Sequence, residues 1–280
     1  MPRFFQLTIA YDGTDFVGWQ VQPSGRSIQA LLEKAVRKVT GESIRVIGSG
    51  RTDAGVHAIA QVASVEFADW KHSANDLMRG MNRHLPDSIL VHNVVEMLGP
   101  FHAIRDAVGK RYRYQLQVGG LRNPFQHRYV WHMQYELSIE AMRAAAELVV
   151  GKQDFACFQT TGADRKSTVR DVRACDVIIR TDTEVSNPEL ASGGFASGGF
   201  VDGRGRSQLR IDIEVEADGF LYNMVRSIVG TLVQVGRGRR SPDWVTQLIT
   251  NQDRTKAGET APPQGLFLLR VDYEASLPKS

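Results

Sequence analysis

Cysteine is almost absent from this chain of 280 residues, with Cys157 and Cys175 the whole supply. Two thiols cannot build a thiolate metal cluster or a disulfide scaffold, and both sit among apolar neighbours, which suits packed, reduced side chains. Long apolar runs are missing too. A membrane-spanning helix needs about 20 consecutive, mostly apolar residues, whereas the richest stretch, Ser227 to Gly236, is short and interrupted by Gly230 and Gln234. The start, Met1 to Gly13, has no basic segment running into an apolar core and a small-residue cleavage site, so no secretory signal is expected. These absences predict a cytoplasmic protein with no membrane partner. The seven histidines are scattered, with no Cys/His quartet and no His-Glu-x-x-His, so no metal site is expected. A Gly-Lys-Ser/Thr phosphate loop is absent, Gly48-x-Gly50 would need a third glycine where Asp53 stands, and no Gly-x-Ser-x-Gly elbow occurs. Nucleotide-dependent hydrolysis and serine-nucleophile chemistry are unsupported.

What is present is ordinary for a globular protein: 42% hydrophobic and 23% charged residues, a mean hydropathy of -0.25, and enough chain for one large domain or two smaller ones. Net charge is only +3, but residues 101–180 carry 13 Lys and Arg against 8 Asp and Glu. Lys110, Arg111, Arg113, Arg122, Arg128, Arg165, Lys166, Arg170 and Arg173 lie in that segment, the first three interleaved with Tyr112 and Tyr114. A phosphate backbone would find partners there. The plain alternative is the wet face of a strand.

Hydrophobic periodicity orders the elements. Phe4 to Tyr11 alternates as a strand, and Ser27 offers an N-cap to apolar residues at helical spacing from Ile28 to Val39, which Gly41 stops. Ile44 to Ile47 reads as a short strand, Gly48 to Ala58 as a loop and Gln61 to Phe67 as a strand. Ser73 and Asp76 form a capping box for a helix to about His84, and Ile89 to Glu96 is a strand. Lys110 to Val118 then starts a second series. A Ser138-capped helix runs through Val150, strands follow at Val169 to Arg180 and Leu209 to Ala217, and a helix covers Leu221 to Val235. A short helix opens at Ser241 and Pro242, and Leu266 to Tyr273 is the last strand. Each series is β-α-β-β-α-β. The predicted fold class is α+β: two ferredoxin-like halves, residues 1–100 and 101–280, with their sheets side by side and a central cleft. Residues 181–207, with the direct repeat Ala191-Ser192-Gly193-Gly194-Phe195 and Ala196 to Phe200, interrupt the second half and read as a glycine-rich surface insertion.

The most unusual stretch is Gly48 to Ala58, in which three glycines and several small residues surround Arg51 and Asp53. Such a loop lets backbone approach a ligand closely and places a guanidinium and a carboxylate two positions apart. On the residues alone, Asp53 is either a turn residue capping its own backbone or the best reactive group on offer.

The string Gly50-Arg51-Thr52-Asp53-Ala54-Gly55-Val56-His57-Ala58 resembles the signature of the tRNA pseudouridine synthase A family. The resemblance extends through Tyr11-Asp12-Gly13-Thr14, Gly18-Trp19-Gln20, Lys110-Arg111-Tyr112-Arg113-Tyr114, Phe220 to Arg226 and Ala261 to Leu266, nearly the whole chain. It implies a cofactor-free isomerase that converts uridines at positions 38, 39 and 40 of the tRNA anticodon stem-loop to pseudouridine, as a homodimer with tRNA as its partner. By that resemblance Asp53 is the catalytic carboxylate, Arg51 its neighbour at the flipped nucleotide, Tyr112 the aromatic under the uracil, Arg226 the ion-pair partner of Asp53 and Leu266 a pocket wall. Lys110, Arg111, Arg165 and Lys166 are the expected contacts to the tRNA backbone. A non-catalytic RNA-binding protein of tandem ferredoxin-like units is the rival reading, and lacks the glycine- and aromatic-rich octamer of such modules.

Overall fold

A computed structural model describes residues 2–160, 167–180 and 208–274. The expected insertion at 181–207, and with it both copies of the glycine repeat, lies outside the described residues, as do Arg165 and Lys166. The fold is mixed α+β. The chain divides into two compact units, Met1–Arg111 with Phe267–Ser280, and Tyr112–Leu266. Among the described residues no helix is long and apolar enough to cross a membrane.

In the first unit, β1 (Arg3–Tyr11) alternates buried and half-buried residues and pairs antiparallel with both β3 (His57–Phe67) and β4 (Ile89–Met97). The short β2 (Ile47–Gly48) lies antiparallel on β3, and β10 (Leu266–Tyr273) runs parallel to β3, with Phe267 opposite His57. The strand order is therefore β4-β1-β3, with β2 and β10 both on the free side of β3. Helix α1 (Ile28–Thr40) begins at Ser27, whose hydroxyl accepts from Ala30 N–H, and ends at Gly41, which takes the left-handed conformation. Helix α2 (Ala74–Asn82) has the full capping box: the Ser73 hydroxyl accepts from Asp76 N–H, and the Asp76 carboxylate accepts from Ser73 N–H. Ile28, Leu32, Val36, Leu77 and Met81 are buried, as are Phe5, Leu7 and Ile9 of β1. A second cluster gathers Val62, Met97, Phe101 and Ala103 with Phe4, Val95, Val271 and Tyr273. Burial of one face of β1, through Phe5, Leu7 and Ile9, is why it fixes its register on β3.

Strand β5 (Ala107–Val118) carries Tyr112 to Val118 into the second unit, where the order is β5-β9-β8-β7. Strands β8 (Val169–Arg180) and β9 (Leu209–Ala217) match the expected spans and pair antiparallel, while β7 (Gly151–Asp154) adds to β8 and β6 (Trp131–Met133) to β5. Helix α3 (Ile139–Glu147) stops before Val150 because Gly151, at φ 113°, turns the chain into β7. Helix α4 (Met224–Gly236) starts later than expected, after Asn223 in the left-handed region at φ 60°. Ser241 and Pro242 form the turn that precedes α5 (Trp244–Asn251), with Trp244 N–H on Ser241 O and Val245 N–H on Pro242 O. Helix α4 is buried along almost its whole length, and a Cβ on Gly230 would stand 1.7 Å from the Glu259 carbonyl. Cys157 and Cys175 are both free and buried, and burial pushes each thiol up to about 12.

Candidate active site

The loop from Gly48 to Val56 is held from beneath by the end of β1 and the turn after it. The Tyr11 hydroxyl meets the Thr52 hydroxyl at 2.8 Å, and Trp19 N–H donates to Thr52 O at 3.0 Å. Burial lifts the Tyr11 phenol up to about 12, so it stays protonated and neutral near pH 7. Gly18 approaches the same carbonyl so closely that a Cβ would lie 2.6 Å from Thr52 O. On the other side Ser49 N–H donates to Val62 O, the Ser49 hydroxyl donates to Gln61 Oε1 at 2.7 Å, and Gln61 Nε2 donates to Gly50 O at 3.0 Å. Lys110 Nζ donates to Ser49 O at 2.7 Å and closes that wall. Val56 N–H returns to Asp53 O at 3.1 Å and makes a turn of Asp53 to Val56. Thr52 is buried, Asp53 half-buried and Arg51 exposed. The chain thus buries the residue before Asp53 and leaves Asp53 itself half-buried.

His57, near the end of the Gly50–Ala58 string, ends the loop. Its ring is 1% exposed and stacks on Phe267 with centroids 4.6 Å apart. Gly13 N–H donates to its Nδ1 at 3.0 Å. Asp12 Oδ1, 3.1 Å from the same nitrogen, accepts from the amide and hydroxyl of Thr14. Gln61 and Tyr11 are likewise supports, and Gln61 has no sequence signal of its own. Only the strand pairing places them against the loop.

In the second unit the remaining segments converge. Tyr112 is buried and meets Phe220 edge-on with ring centroids 5.1 Å apart. Arg226 is clamped by Ala261: Arg226 Nε donates to Ala261 O at 2.6 Å while Ala261 N–H donates to Arg226 O at 3.1 Å. Its Nη1 also donates to Asn223 Oδ1 at 2.8 Å. The Tyr114 hydroxyl donates to Pro262 O, and Gly265 lies against the Tyr114 ring where a Cβ would come within 2.7 Å. Leu266 follows, buried. Tyr112, Arg226 and Leu266 therefore stand on three strands of chain that brace one another.

The basic middle segment is less available to a polyanion than its charge suggests. Arg113 reaches Glu214 at 2.7 Å and Asp212 at 3.1 Å, and Arg180 reaches Asp212 at 2.7 Å. Both carboxylates are buried, so Arg113 serves this network and not solvent. Arg170 bonds to the carbonyls of Ser167 and Val169. Among the described residues no group of three or more His, Cys, Asp or Glu could hold a metal ion.

A protein-family model described as tRNA pseudouridine synthase matches residues 7–100 and 145–274. Curated relatives span the full chain. A tRNA pseudouridine synthase A from Thermoanaerobacter sp. (strain X514) is 40% identical over 97% of this chain and 100% of its own length. One from Syntrophotalea carbinolica is 41% identical over 96% of this chain and 95% of its own, and one from Myxococcus xanthus is 38% identical over 99% and 94%. By this family match and these relatives the chain is an isomerase by class. It belongs to the tRNA pseudouridine synthase family.

Proposed function

We propose that the protein isomerises uridines at positions 38, 39 and 40 of the tRNA anticodon stem-loop, with Asp53 as the catalytic carboxylate and no cofactor. Uridine and pseudouridine have the same atoms. The N1–C1′ bond breaks, the uracil turns while bound, a C5–C1′ bond forms, and the C5 proton passes to solvent as N1 gains one. No oxidant or second substrate is needed. A duplex hides these atoms, so the nucleotide must leave the stack. Arg51, exposed beside Asp53, supplies a cation to the vacated space or to phosphate; Tyr112 supplies a face for the uracil; Arg226 and Leu266 complete the substrate-binding set. Asp53 acts ionised, either as nucleophile or as base at the sugar. Two ferredoxin-like halves, a homodimer and a cytoplasmic location complete the reading, with Lys110, Arg111, Arg165 and Lys166 as contacts to the tRNA backbone.

The observation that carries this reading is the loop itself. Thr52 is fixed through both its hydroxyl and its carbonyl, so the next residue, Asp53, has a set backbone and is itself half-buried. The test is Asp53→Asn, with tritium release from uracil C5 and filter binding of tRNA measured on one preparation. Release is expected to vanish while binding stays within about tenfold, because phosphate contacts elsewhere dominate affinity. Tritium release at the wild-type rate would refute the assignment.

A further inference from the structure

Helix α4 ends at Gly236 and is followed, before α5, by Arg237, Arg239 and Arg240. Two of these guanidinium groups lie over aromatic rings: Arg237 is 3.9 Å from the Tyr135 centroid and Arg240 is 5.2 Å from the Trp244 centroid. A guanidinium laid on an aromatic ring is a charged plane that accepts a further planar group on its outer side. Beside the Arg240–Trp244 pair is a cavity of about 550 Å³, walled by Gln234, Gln247, Lys256 and Glu259 as well as by that pair. Its volume falls in the range of about 300–1,000 Å³ that holds small ligands. The lining is polar, which disfavours a lipid or an apolar peptide. Two amides and a carboxylate suit a base edge, and two cations suit a phosphate. Lys256 lies 3.7 Å from Asp253, but Lys256 is exposed and Asp253 only half-buried, and a pair so open to water is weak enough for its ammonium to be shared with an incoming anion.

We infer that this cavity binds an unpaired nucleotide of the tRNA, with its base against the Arg240–Trp244 layer and its phosphate on Lys256. The inference rests on the proposed tRNA substrate, and all its residues lie within the second unit. The Glu259 carboxylate accepts from N–H donors, of which an exocyclic amino group supplies two and uracil only its N3–H, so a base with an amino group is held there in preference to uracil. Every tRNA offers two sources of such a nucleotide, its single-stranded 3′ end and the unpaired positions of its body.

Arg240 and Lys256 are exposed, so substitutions there leave the core intact. Arg240→Ala, Arg240→Lys and Lys256→Ala are compared with the parent protein by steady-state tritium release and by filter binding over a salt series, using full-length tRNA and tRNA trimmed of its unpaired 3′ nucleotides. Arg240→Ala should raise KM about five- to tenfold with kcat unchanged, the share expected of one lost stack. Lys256→Ala should lower the log–log salt slope by about 0.7. Arg240→Lys keeps the charge and loses the plane, so it should keep the slope and still raise KM. If trimming reproduces the Arg240→Ala defect in the parent protein, the 3′ end is the source. If the variant defects persist on trimmed tRNA, the nucleotide lies in the tRNA body. Unchanged KM and slope in all three variants on full-length tRNA would overturn the site. Absence of tritium release from the parent protein would instead count against the proposed reaction, and filter binding would still decide the site.

Discussion

The hydroxyls of Tyr11 and Thr52 meet at 2.8 Å in the interior of the first unit, one residue before Asp53. The last residue of β1 therefore sets the height of the candidate catalytic loop. Tyr11→Phe removes one hydroxyl and leaves Thr52 without it, at a cost of about 1–3 kcal/mol for a buried group losing its partner. Denaturant unfolding measures that loss. A fall in kcat of about tenfold, with tRNA affinity retained, is the expected catalytic result, since about 1.4 kcal/mol of misplacement is one decade in rate.

The same phenol makes a prediction in alkali. Its ordinary value is 10.0 and burial raises it to about 12, so above pH 10 the unfolded chain releases this proton while the folded chain retains it. Stability contributed by Tyr11 is complete below pH 10 and falls as pH rises toward 12. Burial also raises Tyr114 and Tyr273, which share the trend. Tyr11→Phe should flatten the fall without abolishing it, as measured by unfolding free energy from pH 9 to 11.

Lys110 and Arg111 are neighbours on β5, and Lys110 has a second expected signature. Lys110 Nζ donates to Ser49 O, two residues before Arg51, and a Cβ on Gly50 would stand 2.7 Å from that nitrogen. If both side chains also touch phosphate, alanine at either position lowers the salt slope of tRNA binding by about 0.7 to 0.9. Lys110→Ala should lower kcat at saturating tRNA as well, because it removes the Nζ bond to Ser49 O that supports the loop. A parent-like kcat in Lys110→Ala would place Lys110 outside the loop's support.

Much of this was readable from local pattern. Ser27 and Gly41 bracket α1 because a cap and a left-handed stop are written into single residues, and β8 and β9 keep their expected ends because their alternation is clean. Strand β3 begins four residues before its alternation does, at His57, because that end is fixed by the parallel pairing with Phe267, some two hundred residues on. Strands β6 and β7 are too short to carry a period. Asp53 and Arg51 were legible as a string, whereas the roles of His57, Gln61 and Lys110 depend on which strands lie side by side. Arg113 looked like surface charge because its partners, Asp212 and Glu214, are a hundred residues away.

Both cysteines test the packing of the second unit. Cys157 and Cys175 are buried, and with their thiols pushed up to about 12 almost no thiolate exists at pH 8. A thiol reagent should label neither in the folded protein and both in denaturant. Prompt labelling of either in the native state would mean that its part of the core opens readily.

The tightest constraint on the loop is steric. A Cβ on Gly13 would stand 1.9 Å from the Val56 carbonyl oxygen and 2.6 Å from its carbon, so no side chain fits unless one of the two backbones moves. Val56 closes the turn that begins at Asp53, and Gly13 N–H is the donor to His57 Nδ1. Displacing Gly13 therefore moves Asp53 from one side and releases His57 on the other. Gly13→Ala should cost about 1–3 kcal/mol, as overpacking of a well-filled interior does, and should reduce kcat by about a hundredfold if the carboxylate shifts by as much as 1 Å. Gly99→Ala is the control, because a Cβ there meets nothing within 4 Å and the residue is not in the left-handed region. It should leave kcat unchanged and hold or slightly raise stability. The two variants are compared by denaturant midpoint and by tritium release at saturating tRNA; a Gly13→Ala protein with the parent kcat would show that the loop does not depend on this contact.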